Sequence, residues 1–245
     1  MIPLLLFAYL CVAWMPDRQR TLTMYRMNRM MLGFWFFISG FTLKIEGEEL
    51  IDPQATYVFA GNHVNMLDVP MAGYVLMHYF KPIVKQETRD LFLLGYLFRI
   101  LGIPVDRTNA TQRSQVYQQM AEALKKGISI ALLPEGTRNR TDLPLLPFKN
   151  GAFRAAIEAQ VPIVPMVFLD IRELQADVDA WRAVPGKMRF KYLPPIPTAG
   201  MTQDDADELK KKVFTQIYEV LVTEDSFCKN WKGKIEDLQM DFPNP

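Results

Sequence analysis

Asn62-His63-Val64-Asn65-Met66-Leu67-Asp68 sets an imidazole five residues ahead of a carboxylate, just after the apolar run Tyr57-Val58-Phe59-Ala60 and Gly61. A carboxylate on one imidazole nitrogen fixes the tautomer and supports the positive charge when the other nitrogen takes a proton. Residues five apart on one continuous helix lie about 140° out of phase and cannot face each other. The spacing works only if His63 sits in the turn before a helix and Asp68 in its first turns. The pair then reads as a base and its orienter. Of the four serines, Ser39, Ser114, Ser129 and Ser226, only Ser129 half resembles a nucleophile elbow. It falls inside a predicted strand and reads as structural. Without a protein nucleophile, the base would act on a hydroxyl or water supplied from outside. The other histidine, His78, has no acidic neighbour and reads as structural or exposed.

Cations gather at predicted strand ends. Pro134-Glu135-Gly136-Thr137-Arg138 is a post-strand turn in which a glycine and a hydroxyl residue can aim backbone amides at an anion. Arg138 adds a planar fork that matches phosphate. Gly102-Ile103-Pro104-Val105-Asp106-Arg107 puts Arg107 at another strand end, and Lys85 closes a third. Together they suggest a phosphate pocket, although each alone is an ordinary surface cation. Pro147-Phe148-Lys149-Asn150-Gly151-Ala152-Phe153 reads as structural, its small residues letting a helix approach closely.

The elements that must position these groups follow from periodicity. Thr42–Glu46, Tyr57–Ala60, Pro82–Gln86, Ile103–Val105, Ile128–Leu133, Ile163–Leu169 and Met188–Leu193 read as strands. Val69–Met77, Leu91–Leu101, Thr111–Lys126, Asn150–Gln160 and Thr202 to about Val222 read as helices. Val116, Met120, Ala123 and Leu124 form the inward face of the third, and Gly127 stops it. This alternation predicts an α/β fold with a mixed, largely parallel sheet flanked by helices. Chemistry in such sheets gathers beyond the carboxyl ends of the strands.

The chain of 245 residues carries 28 Lys+Arg and 27 Asp+Glu, a balance that excludes a general nucleic-acid binder. Cys11 and Cys228 form no metal-ligating cluster and no disulfide framework. The N-terminus is the anomaly. Met1 to Trp14 carries no charge, and Met30 to Leu43 holds Trp35 and four phenylalanines. Each run gives roughly 20 Å of helix against ~30 Å of hydrocarbon. Arg18, Arg20, Arg26 and Arg29 lie between them. The runs are expected to form a two-helix membrane-docking element over residues 1–41, ahead of an α/β domain at 42–245. A buried helix pair is the competing reading. A cytoplasmic main domain with cytoplasmic arginines requires at least one segment to enter the bilayer without crossing.

As a set, these residues resemble the glycerolipid acyltransferase superfamily, in particular the 1-acylglycerol-3-phosphate acyltransferases. Asn62-His63 through Asp68 resembles the NHx4D block, and Gly102 through Arg107 the second block. Leu133-Pro134-Glu135-Gly136-Thr137-Arg138 resembles FPEGTR with Leu for Phe. Val161 through Pro165 resembles the proline-containing block, and Pro147–Phe153 the PFKxGAF segment. The resemblance spans roughly Leu43 to Leu193. It implies that His63, oriented by Asp68, takes the proton from a glycerol hydroxyl of lysophosphatidate. That hydroxyl attacks the thioester of acyl-CoA or acyl carrier protein, with no acyl-enzyme and with no cofactor or metal. Substrate would be held by Lys85, Arg107, Glu135, Gly136, Thr137 and Arg138, and amides around Gly136 are the candidate oxyanion donors. It also implies a membrane-associated protein on the cytoplasmic face. Asn65, where the family commonly has Ser, leaves the acceptor open to another lysophospholipid. A non-catalytic lipid-transfer protein and a hydrolase are the readings from other classes.

Overall fold

The computed structural model describes residues 14–85, 102–105, 110–175 and 183–238. The predicted helix at Leu91–Leu101, Arg107 and all of the first apolar run except Trp14 lie outside them.

The chain first forms helix α1, Asp17–Ile38, then strand β1, Thr42–Glu46. Next come β2, Val58–Gly61, helix α2, Asp68–Val75, β3, Phe80–Lys85, and β4, Ile103–Val105. Helix α3, Ala110–Lys125, β5, Ser129–Leu132, and helix α4, Gly151–Ala159, follow. Strands β6, Ile163–Leu169, and β7, Lys187–Tyr192, precede the long helix α5, Ala206–Glu224. Pro70 is tolerated in α2 because it lies in the first turn, where its missing N–H would have no helical partner. Thr202 and Asp205 form a capping box ahead of α5.

The described strands make one seven-stranded sheet in the order β1-β7-β6-β2-β5-β3-β4. β6, β2, β5, β3 and β4 are mutually parallel; β7 runs against β6, and β1 runs with β7. The expected mixed, largely parallel sheet is thus what the chain forms. The carboxyl ends of β2, β5, β3 and β4 reach the same edge. Alternate residues feed two cores. Val58, Ala60, Ile130 and Val167 pack with α3, α4 and α5 on one face. Phe59, Met166, Phe168 and Phe190 pack with Tyr25, Leu32 and Phe36 of α1 and Met71 and Val75 of α2 on the other.

The N-terminal expectation needs correcting. The first apolar run, except Trp14, lies outside the described residues, so one N-terminal helix is described, and no described helix is long and apolar enough to cross a membrane. The apolar run from Met30 to Leu43 is divided rather than helical throughout. Gly40 takes φ +70°, and Phe41 N–H bonds Phe36 O at 2.8 Å while Gly40 N–H bonds Phe37 O at 3.2 Å, a Schellman ending. Leu43 therefore falls in β1. The arginines expected between two segments ride on α1 itself. Thr21, Met24, Tyr25, Leu32 and Phe36 recur at helical spacing on its buried side, leaving Arg18 and Arg26 on the wet side. The charges lie within one continuous helix, not in a break between two.

Tyr25 fastens α1 to the sheet. Its hydroxyl donates to Phe80 O at 2.7 Å, and its ring stacks on Phe80 at 4.7 Å. Tyr25→Phe keeps the stack and strips the buried carbonyl of its donor, so unfolding free energy should fall by about 1–2 kcal/mol. Urea denaturation checks this, and an unchanged midpoint would show that α1 contributes nothing through this bond.

Candidate active site

The site grows from the end of β2. A Cβ on Gly61 would stand 3.0 Å from Phe168 Cε2, so a side chain there would crowd β6. Asn62 then copies a strand residue with its side chain: Oδ1 accepts from Phe168 N at 2.8 Å and Nδ2 donates to Phe168 O at 3.0 Å. This ends the strand while holding the chain to β6, and His63 emerges at the carboxyl edge.

The predicted turn-then-helix arrangement is what the chain adopts. His63 Nδ1 lies 2.6 Å from Asp68 Oδ2, and the same oxygen accepts from Val64 N at 2.8 Å and Asn65 N at 3.2 Å. With two amides on it already, Oδ2 is an acceptor toward the ring, so Nδ1 carries the proton and Nε2 is left with its lone pair. Nε2 makes no hydrogen bond among the described residues. Asp68 is 1% exposed. Burial pushes its carboxyl above the ordinary range, while the hydrogen bond and charge of His63 and the two amides pull against that. Asn65 is buried and pins the loop, donating through Nδ2 to Ile171 O at 2.7 Å and accepting from Leu67 N at 2.9 Å.

Glu135 was expected to touch substrate; its carboxylate instead points inward. It is 3% exposed, Oε1 accepts from His63 N at 2.5 Å, and Oε2 accepts from Leu146 N at 2.9 Å. Burial pushes the carboxyl up to about 8, against the pull of those two amides, with the Asp68 charge adding to the rise. Gly136 holds φ +73°, a left-handed turn that its N–H closes onto Leu133 O at 3.0 Å. That amide, expected as an oxyanion donor, is thus engaged in its own turn. Thr137 is exposed, and Arg138 is half-buried with no hydrogen bond or ion pair among the described residues. Lys149 N–H donates to Pro134 O at 2.8 Å, so the Pro147–Phe153 segment braces this turn. Lys85, the last residue of β3, pairs with Val105 of β4, which places its backbone on the same edge. Arg107 lies outside the described residues.

Three positioning residues escaped the sequence reading. Asn139 N–H donates to His63 O at 2.8 Å, and Gln175 Oε1 accepts from Met66 N at 3.0 Å. Asn139 carries the signal of an Asx turn, since its Oδ1 accepts from Thr141 N at 3.1 Å. Gln175 and Leu146 have no local signal. The residues set aside as structural behave so. Ser129 Oγ accepts from Tyr57 N at 3.1 Å within the sheet, and buried His78 meets Asp52 O through Nε2 at 3.0 Å. The Cys228 thiol is buried, and burial pushes its pKa up, so it stays protonated.

An imidazole bonded to a buried carboxylate stands at the carboxyl edge of a parallel sheet, and among the described residues no serine, threonine or cysteine side chain bonds it; this is an α/β protein with an open His–Asp pair. The comparisons with known proteins narrow that class. A family model described as Acyltransferase matches residues 42–169, and the chain belongs to that family. It is 31% identical over 212 residues to 1-acyl-sn-glycerol-3-phosphate acyltransferase alpha of Homo sapiens, covering 86% of this chain and 74% of that one. It is 34% identical over 154 residues to 1-acyl-sn-glycerol-3-phosphate acyltransferase of Haemophilus influenzae, covering 62% of each. The crystal structure of the 1-acyl-sn-glycerophosphate (LPA) acyltransferase PlsC from Thermotoga maritima shares the fold, with a TM-score of 0.72, 19% identity, and coverage of 92% of this chain and 97% of that one.

The raised Glu135 pKa has a direction that stability can read. The folded state keeps a proton that the unfolded state, with an ordinary glutamate near 4.3, has released. Stability from this group is present at low pH and lost as pH rises from about 4.3 to about 8, by at most ~1.4 kcal/mol per pH unit. Glu135→Gln cannot ionise. Its unfolding free energy, measured in urea from pH 5 to 8, should lack this fall, and parallel profiles for the two proteins would refute the assignment.

Proposed function

We propose that this protein transfers an acyl group from acyl-CoA or an acyl carrier protein to the free sn-2 hydroxyl of lysophosphatidate, giving phosphatidate. The observation that carries the proposal is the 2.6 Å contact of His63 Nδ1 with Asp68 Oδ2, which leaves Nε2 as a base. Family membership and the names of the relatives supply the reaction and the acceptor. Nε2 takes the hydroxyl proton as the oxygen attacks the thioester carbonyl. The tetrahedral intermediate collapses, the C–S bond breaks, and the thiolate leaves with the proton returned by the imidazolium. Arg138, with Arg107 and Lys85, holds the acceptor's phosphate. Gly136 and Thr137 shape the turn that presents Arg138, and Glu135 positions His63 through its backbone amide.

Residues 1–41 serve as the membrane-associated element on the cytoplasmic face, and residues 42–245 carry the chemistry. Support comes from the outer face of α1, where Met30 is 76%, Phe34 66%, Phe37 80% and Ile38 61% exposed. α1 runs toward the carboxyl edge of the sheet, because Thr42 just after it pairs with Lys187 at the start of β7. Met66 and Val69, half-exposed at the opening of α2, extend this apolar surface toward His63.

With lysophosphatidate and acyl-CoA, His63→Ala should abolish formation of phosphatidate. Asp68→Asn keeps an oxygen for the same donors and loses the charge, so it should fold and lose about 10³–10⁴-fold in kcat. Wild-type turnover in His63→Ala, or free fatty acid as the sole product of the wild type, would sink the proposal. For docking, Phe34→Ser with Phe37→Ser removes two side chains worth ~1.5–3 kcal/mol each on burial. Sedimentation with liposomes should weaken more than about tenfold, and unchanged sedimentation would discard the docking face.

A further inference from the structure

Between α1 and α2 lies an open cavity of about 370 Å³, lined by Arg26, Arg29, Met30, Gly33, Tyr74 and Met77. The proposed chemistry does not use it. Tyr74 is six residues beyond Asp68 along α2, roughly 9 Å at ~1.5 Å per residue, so the cavity lies toward the opposite end of that helix from the His63–Asp68 pair.

Its lining combines two kinds of surface. Arg26 and Arg29, three residues apart, lie on one side of α1 and bring two guanidinium groups to one mouth. Arg26 is exposed and makes no ion pair among the described residues. Arg29 sits over the Tyr74 ring, 5.0 Å from its centroid. The ring attracts the cation while leaving its N–H donors available. Glu48, the acid beside Arg29, is 3.9 Å away with 58% of its side chain exposed, too distant for a hydrogen-bonded pair. Gly33 keeps the cavity open, since a Cβ there would stand 3.1 Å from Tyr74 Cε2. Met30 and Met77 make an apolar flank, and Met30 leads along the same helical stripe to Phe34 and Phe37.

We infer that this cavity seats the phosphate headgroup of an anionic glycerophospholipid of the bilayer, between Arg26 and Arg29, with an acyl chain along Met30 and Met77. Paired guanidinium forks match phosphate oxygens, and the apolar continuation selects a lipid over a soluble anion. The inference rests on the docking reading above and gives it a defined contact. The lipid seated here does not react; it is distinct from the acceptor held at the carboxyl edge.

The test uses the full chain and two vesicle types, phosphatidylcholine alone and phosphatidylcholine with phosphatidylglycerol, and reads the ratio of the two affinities. A diffuse surface arginine near an anionic bilayer contributes ~1 kcal/mol, about fivefold, wherever it stands. Arg18→Gln, on the same helix outside the cavity, should lower the ratio by no more than that. Arg26→Gln with Arg29→Gln should lower it well beyond the ~25-fold that two diffuse arginines would give, and leave binding to neutral vesicles unchanged. Gly33→Leu fills the cavity without altering charge and should also lower the ratio about tenfold. A wild-type ratio in Gly33→Leu or in the double arginine variant overturns the seat while leaving docking intact. So does a loss in Arg18→Gln equal to that in the double arginine variant. The exposed arginine variants keep the test decisive if Gly33→Leu proves unfolded by thermal melting. A wild type that binds neither vesicle removes the docking reading, and the seat with it.

Discussion

Asp68 Oδ2 collects the donors of His63 Nδ1, Val64 N and Asn65 N, and the shape of the carboxyl edge follows from that convergence. A carboxylate can gather donors on one oxygen only if the chain wraps around it. The loop from His63 to Leu67 is that wrap, and α2 starts where it closes. The five-residue spacing, which fails on a helix, is the length a turn needs to bring an imidazole back over the first helical residue. Asn65 and Asn62 then fix the loop's two sides to Ile171 and Phe168, just after and at the end of β6. His63 is thus held by a strand on which it does not itself lie.

Glu135 repeats the device one strand away. It too is a buried acid that accepts from two backbone amides and pairs with no lysine or arginine among the described residues. Two buried carboxylates in one site would ordinarily recruit arginines, since an unpaired buried charge is costly. Here Asp68 Oδ2 takes the His63 imidazole and two amides, Glu135 keeps its proton beside two more, and Arg138 makes no ion pair among the described residues. An arginine already paired to Glu135 or Asp68 would have little charge left for a phosphate. Acids turned inward, with Arg138 unpaired among the described residues, suit an anionic acceptor at this edge.

Local periodicity was legible from the sequence, and distant polar pairing was not. The strands Ile103–Val105 and Ile163–Leu169 match their apolar runs, and α3 buries the Val116, Met120, Ala123 and Leu124 face read from spacing. His63 and Asp68 were readable because their partnership is local. The inward aim of Glu135 was hidden because its partners belong to chain segments 72 and 11 residues away. Gln175 was hidden for the same reason, meeting Met66 from 109 residues off. The N-terminus misled for a different reason. Charge interrupting two apolar runs resembles a loop, yet an amphipathic helix interrupts its apolar pattern every turn.

That correction changes what α1 can be. Tyr25, Leu32 and Phe36 belong to the same core as Phe59 and Phe168 of the sheet, while Phe34 and Phe37 point away from it. One helix therefore completes the fold with one face and offers apolar surface with the other. Deleting it would strip the core as well as the docking face, and any loss of vesicle binding would be confounded with loss of structure. Only substitutions confined to the outer face separate the two roles. The same geometry argues against α1 moving independently of the sheet. A helix stacked on Phe80 and bonded to its carbonyl carries the sheet with it, so whatever orients α1 at a surface also orients the edge where His63 stands.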